Sequence, residues 1–373
     1  MKKTIALLTG GTTGEWVVSV KSAATIAQNL DTTKYDVYKI MLTENGWFYE
    51  PADSVKIDID KNDFSLTLKG RKIKFDGVFI AIHGSPGEDG KLQGYFDMLG
   101  IPYTTCSALT SAITMNKGYT KAIVNGIKNL NVAKSVQIFK NTSYSIDEIK
   151  ADLKLPYFVK PNNGGSSIGM SKVKHADDLR SALDKAFKED TQVLIEEFVE
   201  GREFSVGVFK TKGKIVVLPT TEVKTKNEFF DFDAKYTPGV TEEITPGDMS
   251  EEEKARVEQV VADVYQKLNC RGIVRIDYFL EHHTGKFYFI EININGQMLK
   301  KLNGIEVSSF SRQSPPVRAD LIIKAGRNLL NQILTIRLKR SLHFAALQSR
   351  RRFFVSYRHA DPIAIGFISA SFM

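Results

Sequence analysis

Residues Arg271 to Asn293, RGIVRIDYFLEHHTGKFYFIEIN, place two apolar runs on either side of a short polar turn. That pattern predicts a β-hairpin. Side chains two positions apart on a strand share a face, so Arg275 and Asp277 project together from one strand and Glu291 and Asn293 from the other. Three oxygen ligands and a guanidinium then share a wall that is otherwise built from residues such as Val274, Ile276, Phe289 and Ile292. Charge left unpaired in such a wall costs on the order of several kcal/mol. Two arrangements answer that cost. One is a cation, and hard oxygen donors suit Mg²⁺ carrying nucleotide phosphates. The other is a structural Arg–Asp pair beside a solvated Glu.

A chain of 373 residues has room for two or three domains with substantial cores. Its net charge of +8 invites a nucleic-acid reading until the charge is divided along the sequence. Residues 294–373 hold 13 Lys+Arg against 3 acidic residues, which leaves 38 against 40 for residues 1–293. The basic character belongs to the tail, and the body has no basic-aromatic stripe, so no nucleic-acid partner is expected. MKKTIALLTGG opens with a basic start and a short apolar run of strand length that ends in glycines, so no signal peptide is expected. No apolar run approaches the roughly 20 residues needed to span a bilayer, so no integral membrane segment is expected. Cys106 and Cys270 form neither a disulfide framework nor a CxxC site, which fits a reducing cytoplasm.

Along the chain, Thr4 to Thr9 reads as a buried strand, Gly10 to Gly14 as a glycine-rich loop and Ser19 to Leu30 as a helix. Asp36 to Leu42 supplies another strand, Phe64 to Leu68 and Ile73 to Phe75 a hairpin, and Gly77 to Ile82 a further buried strand ending at His83. The loop GSPGEDG, a helix over Lys91 to Leu99 and a short strand near Thr104 follow. Ligands bind at the carboxyl ends of strands in such sheets, so the loops carrying Glu15 and His83 face one crevice. Ser107 to Leu130 then reads as helix and Ala133 to Lys140 as extended chain. Leu155 to Lys160, Val193 to Glu197, Glu203 to Lys210 and Lys214 to Leu218 read as strands, with a helix over Asp177 to Phe187. Residues 222–247 lack periodicity and read as a long functional loop. Ser250 to Leu268 is a helix with a capping box at Ser250 and Glu253.

Several stretches carry chemistry. Lys160 closes an apolar strand and leads into PNNGGSSIGM, where exposed N–H groups and a lysine suit phosphate. This is not a Walker loop, which requires GxxxxGK[ST] opening a helix, and a flexible hairpin tip is the plain alternative. Glu196, Glu197, Phe198 and Val199, followed by Gly201 and Glu203, form a strand running into a connector whose backbone could read a base and whose carboxylate could bind ribose. A solvated strand end would look the same. His83 fits a structural histidine as well as a catalytic one, and Glu15 fits a helix start as well as a ligand.

In combination the stretches are specific. GGTTGE, IHGSPGEDGKLQG, MNKGYTK, VKPNNGGSSIGMSKV, IEEFVEGREFSVG, FFDFDAKY, RIDYF and FIEIN, in that order, resemble the D-alanine–D-alanine ligase family over residues 1 to about 293. The resemblance implies an α/β and α+β multidomain chain, with a Rossmann-like N-terminal domain followed by an ATP-grasp fold. The expected divisions are 1–105, 106–220, 221–293 and an atypical basic tail, 294–373. It implies D-alanine as substrate, ATP with Mg²⁺ (Mn²⁺ as the alternative) as cofactors, an acyl-phosphate intermediate, a homodimer and a cytoplasmic location. By the same resemblance Glu15 anchors the first ammonium group, and Ser166 and Tyr236 are its hydrogen-bonding partners, fastening the 222–247 loop as a lid. His83 lies near the first substrate. Lys117, Lys160 and Lys235 meet phosphates. Ser167, Glu196, Glu197, Phe198, Val199 and Glu203 contact the nucleotide, Asp277, Glu291 and Asn293 hold the metal, and Arg275 stabilises the transferred phosphoryl group. Tyr236, where related D-lactate ligases carry histidine, favours an amine as the second nucleophile.

The sequence leaves the family's pattern after Asn293. The family continues with a pattern like T-x-P-G, then a serine-bearing segment that holds the second carboxylate. Here INGQMLKKLNGIEVSSFSRQSPPVRAD follows instead. A frameshift, fusion or misjoined frame near residue 294 is the expected cause. Leu321 to Leu338 could alternatively form an amphipathic helix against the body or a membrane surface, or the tail could be disordered. Impaired ligation follows if the serine-bearing segment is lost. At the extreme stands an ATP-binding remnant without turnover, and D-lactate or D-serine as second substrate is the other alternative.

Overall fold

In this computed structural model the described residues are 1–51, 55–165, 167–211, 213–226 and 239–294. Ser166, Lys235, Tyr236, the middle of the expected lid and the tail beyond Ile294 lie outside them.

Three sheets follow one another. The first contains β1 (Lys3–Gly10), β2 (Tyr35–Thr43), β3 (Gly46–Tyr49), β4 (Ile57–Asp60), β5 (Ser65–Leu68), β6 (Arg71–Ile73) and β7 (Gly77–Ile80) in the order β6-β5-β4-β3-β2-β1-β7. β1 pairs in parallel with both β2 and β7, and helix α1 (Trp16–Asn29) makes the crossover from β1 to β2. Helix α2 (Lys91–Leu99) follows the loop after β7. The inner strand β1 is apolar on both faces, as a parallel strand must be when covered on both sides. The loops after β1 and β7 leave from the same sheet edge, which brings Glu15 and His83 to one crevice as expected.

Two helices, α3 (Ala108–Met115) and α4 (Lys117–Val124), lead into the second half of the chain. β8 (Leu130–Val132), β9 (Ser135–Phe139), α5 (Ile146–Asp152), β10 (Tyr157–Pro161), β11 (Ser171–Val173), α6 (Leu179–Glu189) and β12 (Gln192–Glu197) come next. β9, β10, β11 and β12 form an antiparallel sheet in the order β11-β10-β12-β9, with the apolar face of α6 packed on it. The remaining elements are β13 (Gly201–Thr211), β14 (Lys214–Val217), β15 (Thr221–Thr225), β16 (Thr241–Ile244), α7 (Glu251–Lys267), β17 (Ile273–Glu281) and β18 (Phe287–Asn293). They build the third sheet along the path β16-β15-β13-β17-β18-β8, with β14 against β13. Val257, Val260, Val261 and Val264 of α7 close its core with Phe204, Val206, Ile276 and Tyr278. Cys106, Val124 and Ile127 join that same core.

The structure corrects three expectations. The helix expected over Ser107 to Leu130 is two helices and a strand, because Asn116 takes an extended backbone (φ −88, ψ 104) and its side chain caps α4 by accepting from Tyr119 N. The 222–247 stretch is a strand at each end, β15 and β16. Its charged residues hide the pattern, and among its described residues only Val223 is an apolar core residue. Helix α1 begins at Trp16, three residues before the expected Ser19, since Trp16 and Val17 are exposed and add nothing to the apolar stripe. Strands β3 and β4 and helix α5 carry too little periodicity to be read from sequence. The capping box at Ser250 and Glu253 is present in full.

Candidate active site

Strand β17 is two-faced. Val274, Ile276 and Tyr278 enter the core, while Arg275 and Asp277 point the other way. Pairing with β18 sets Asp277 opposite Glu291 and Arg275 opposite Asn293. Cross-strand partners share a face, so all four groups meet, as the hairpin pattern requires. Arg275 grips Asp277 with Nε to Oδ1 at 2.8 Å and a terminal guanidinium nitrogen to Oδ2 at 2.6 Å. Asn293 donates from Nδ2 to the same Oδ2 at 3.2 Å. Burial works against the charge on Arg275, but Asp277 and then Glu291 outweigh it and hold the guanidinium protonated. Strand β13 lies on the other side of β17, with Ser205 opposite Asp277, and two residues further along is Glu203.

Helix α4 supplies cations to this wall. Lys117 and Lys121 are four apart and therefore share a face of the helix. Lys117 Nζ lies 3.3 Å from Glu291 Oε2 and donates to the Gly164 carbonyl at 2.5 Å. That links the hairpin to the glycine-rich loop. Lys121 reaches the buried Glu196, whose other carboxylate oxygen is 2.6 Å from Lys160 Nζ. Burial pushes the Lys121 ammonium well down from its ordinary pKa, Lys160 and Lys117 add to this, and Glu291 opposes it. Lys121 is missing from the sequence reading. Its signal is the i, i+4 lysine pair in MNKGYTK.

The opposite wall of the crevice comes from the first sheet. Glu15 precedes α1, and its carboxylate lies against two glycines: a Cβ added at Gly165 would stand 2.8 Å from Oε2, and one at Gly84 2.9 Å from it. Only a residue without a side chain permits that approach. Ser167, two residues on from Gly165, has left-handed backbone (φ 59), which is uncommon outside glycine. His83 is buried. Ser19 Oγ accepts from its backbone N at 3.0 Å, and Ser22 Oγ lies 2.9 Å from Nε2. Burial, helped by the charge of Arg275, lowers its pKa to about 4, so the ring is neutral at pH 7. Glu88, which sequence reading also missed, accepts from Gly84 N at 2.7 Å, while burial and the nearby Glu15 raise its pKa to about 8. It is a carboxylic acid at neutral pH.

The expected base-reading connector runs from β12 to β13. Glu197 Oε1 accepts from Lys154 N at 2.9 Å, so that side chain is tied to the α5–β10 link rather than joined to the lysines. The backbone N–H groups of Glu197 and Phe198 donate to Lys134 and Pro156 carbonyls. Phe198 stacks on Phe158 with ring centroids 6.2 Å apart, and Lys172 Nζ lies 3.6 Å from the Phe198 ring centre. Val199 ends this stretch before β13. Among the described residues no three carboxylates, histidines or cysteines converge as a metal cluster. Asp277, Glu291 and the amide of Asn293 form a two-carboxylate, one-amide oxygen set, which fits a hard cation that keeps several waters.

Comparisons with known proteins agree with this geometry. The family model described as D-ala D-ala ligase N-terminus matches residues 4–106, and D-ala D-ala ligase C-terminus matches residues 126–299. A D-alanine–D-alanine ligase of Azobacteroides pseudotrichonymphae is 40% identical over 334 residues, 89% of this chain and 98% of that protein. One from Phocaeicola vulgatus is 43% identical over 293 residues, 79% of this chain and 90% of that protein. Among solved structures, D-alanyl-alanine synthetase A from Vibrio cholerae superposes with a TM-score of 0.75 at 28% identity, over 90% of this chain and 98% of that one. The VanG D-Ala:D-Ser ligase from Enterococcus faecalis gives 0.74 at 28%, over 90% of this chain and all of that one. Two family models placed end to end and relatives matched over nearly their full length leave one assignment: the chain belongs to the D-alanine–D-alanine ligase family.

Proposed function

We propose that this chain joins two D-alanine molecules with ATP to give D-alanyl-D-alanine, the dipeptide built into peptidoglycan. The γ-phosphoryl group passes to the carboxylate of the first D-alanine, forming an acyl phosphate and releasing ADP. The amine of the second D-alanine then attacks the acyl carbon. Phosphate leaves with the bonding electron pair, and the amine sheds a proton. The observation that carries this reading is the crevice itself: Arg275, Asp277, Glu291, Asn293 and Lys117 on one wall, Glu15 and His83 on the other.

Each group suits a role. Lys117 and Lys160 are cations for the phosphates, and Glu196, Phe198, Val199, Glu203 and the Ser167 turn line the nucleotide side. Arg275, held by Asp277, is a preorganised donor for charge that develops as the phosphoryl group moves. Glu15 offers a carboxylate to the first ammonium group. Ser166, Lys235 and Tyr236 complete the set in sequence. Asp277, Glu291 and Asn293 would hold Mg²⁺, with Mn²⁺ as the alternative, and the ion would neutralise phosphate charge. A homodimer in the cytoplasm completes the reading; no helix among the described residues is long and apolar enough to cross a membrane.

The test is a product assay on the full chain with ATP, Mg²⁺ and D-alanine, reading phosphate release and dipeptide mass together. Dipeptide formed in step with phosphate supports the reading. Phosphate without dipeptide, or neither, supports the remnant reading. Competition among D-alanine, D-lactate and D-serine settles the second substrate by product mass.

A further inference from the structure

We propose that Ser22 is a positioning residue that fixes His83 as the tautomer protonated at Nδ1, presenting that N–H to a carboxylate oxygen of the bound amino acid. The proposal rests on the ligase reading, in which the ligand at that site is a carboxylate-bearing amino acid.

Glu15, Ser19 and Ser22 follow one another at four- and three-residue steps, so they form one stripe along the start of α1. The stripe faces the loop after β7. Ser19 Oγ donates to the Glu15 carbonyl at 3.3 Å and accepts from His83 N at 3.0 Å, which fixes the histidine backbone against the helix. Ser22 Oγ meets the ring at Nε2, 2.9 Å away. Held at both points, the imidazole has one ring atom left over, and Nδ1 is buried with no hydrogen-bond partner among the described residues. A buried polar atom without a partner is a costly thing to keep unless a ligand completes it.

The polarity of the Ser22 contact decides what Nδ1 offers. A neutral imidazole carries one N–H and one acceptor nitrogen, and a hydroxyl can serve either way. The Ser22 hydroxyl makes no other hydrogen bond among the described residues. If it donates to Nε2, the single unmet group is the Nδ1–H. If it accepts from Nε2–H instead, the half-buried hydroxyl gives its proton to solvent and the unmet group is the Nδ1 lone pair. A carboxylate accepts and cannot donate, so only the first arrangement lets the ligand complete Nδ1: Ser22 donates and Nδ1 carries the proton. Burial and the nearby Arg275 keep the ring neutral, because a second cation beside the guanidinium is disfavoured. The ring supplies a neutral hydrogen bond, and the guanidinium supplies the charge, to one carboxylate.

Nitrogen-15 NMR of histidine-labelled full-length chain tests the tautomer directly, with His83→Gln identifying the signal among the 6 histidines. The expected spectrum shows His83 with a protonated Nδ1 and an unprotonated, pyridine-like Nε2. A protonated Nε2 overturns the proposal, whatever the enzyme does. Ser22→Ala should mix the two tautomers and weaken D-alanine binding roughly five- to tenfold, the size of one neutral hydrogen bond, while nucleotide affinity is unchanged. Ser22→Thr keeps the hydroxyl and should restore both. An unchanged tautomer in Ser22→Ala, or equal losses for D-alanine and nucleotide, also overturns it. A correct tautomer in a chain that binds no D-alanine would sink the ligand assignment and the ligase reading while leaving the tautomer standing.

Discussion

Glu196→Gln is the sharpest test of how the nucleotide wall is held together. Glu196 is 5% exposed, and its two oxygens face Lys121 and Lys160, themselves 4% and 5% exposed. The amide keeps the shape and removes the charge, so the buried amino groups of Lys121 and Lys160 lose the carboxylate between them; Lys121, whose pKa burial already draws well down, yields its proton first, and Lys160 remains the ammonium that has lost its carboxylate. Breaking a buried ion pair by removing one partner costs roughly 3–5 kcal/mol. A lysine can escape that cost by losing its proton, at about 1.4 kcal/mol per pH unit below a normal pKa near 10.4, which at pH 7 is about 4.6 kcal/mol. The two figures agree, so the expected loss is about 3–5 kcal/mol at pH 7. Because deprotonation sets the ceiling, the loss should shrink to at most about 2 kcal/mol at pH 9. Trp16 and Trp47 both belong to the first part of the chain, so their fluorescence reports elsewhere. Hydrogen exchange of the β12 amides, with urea unfolding followed by far-ultraviolet circular dichroism, reads the right region. A Glu196→Gln chain within 1 kcal/mol of the parent at pH 7, or a deficit equal at pH 7 and 9, would refute the account. Adding Lys121→Met should recover part of the loss.

Other predictions follow from the first wall and the hairpin. His83 has a folded pKa of about 4 against an ordinary 6.5, so the unfolded chain binds more protons between those values. Its contribution is full above pH 6.5 and is lost as pH falls toward 4, by about 3 kcal/mol, and His83→Gln should remove that slope in urea midpoints measured over the range. Glu88 has the opposite sense: with a folded pKa of about 8 against 4.5, its penalty is absent below pH 4.5 and grows as pH rises to 8. Glu88→Gln should therefore unfold with a flatter pH dependence and gain on the parent at high pH. Glu15→Gln should weaken first-substrate D-alanine binding far more than ATP binding in calorimetry, and equal losses would contradict its place in the crevice. Arg275→Lys cannot reproduce the two-point grip on Asp277, and turnover should fall at least about tenfold, the scale of one charge-assisted hydrogen bond.

Much of the site was legible because strand parity is strict. Once 271–293 reads as a hairpin, Arg275, Asp277, Glu291 and Asn293 must share a face, and they do. The glycine-rich loop was legible as a place where side chains are excluded, and the Glu15 carboxylate beside Gly165 shows why. Lys121 was not legible: a lysine on a short helix reads as a solvated charge, and its burial depends on Glu196 arriving from a strand 75 residues away. Glu88 and Ser22 were hidden for the same reason, since both act through contacts made only after folding. The hydrogen bond from Lys154 N to the Glu197 carboxylate was not legible either, since no pattern reveals a backbone donor. The hairpin at β15 and β16 escaped because its strands carry charge where most carry valine.

The pairing of β17 with β18 works as a parity check on the chemistry. A slip of one residue would turn Arg275 and Asp277 into the core and push Ile276 and Tyr278 out, so the apolar side rejects every slip by an odd number of residues. Accuracy of the reacting groups is thus enforced from behind, by residues that never meet a substrate. Mutations at Ile276 or Ile292 should then blunt turnover before they unfold the chain, and a search for weakened variants would find many of them on the face turned away from the crevice.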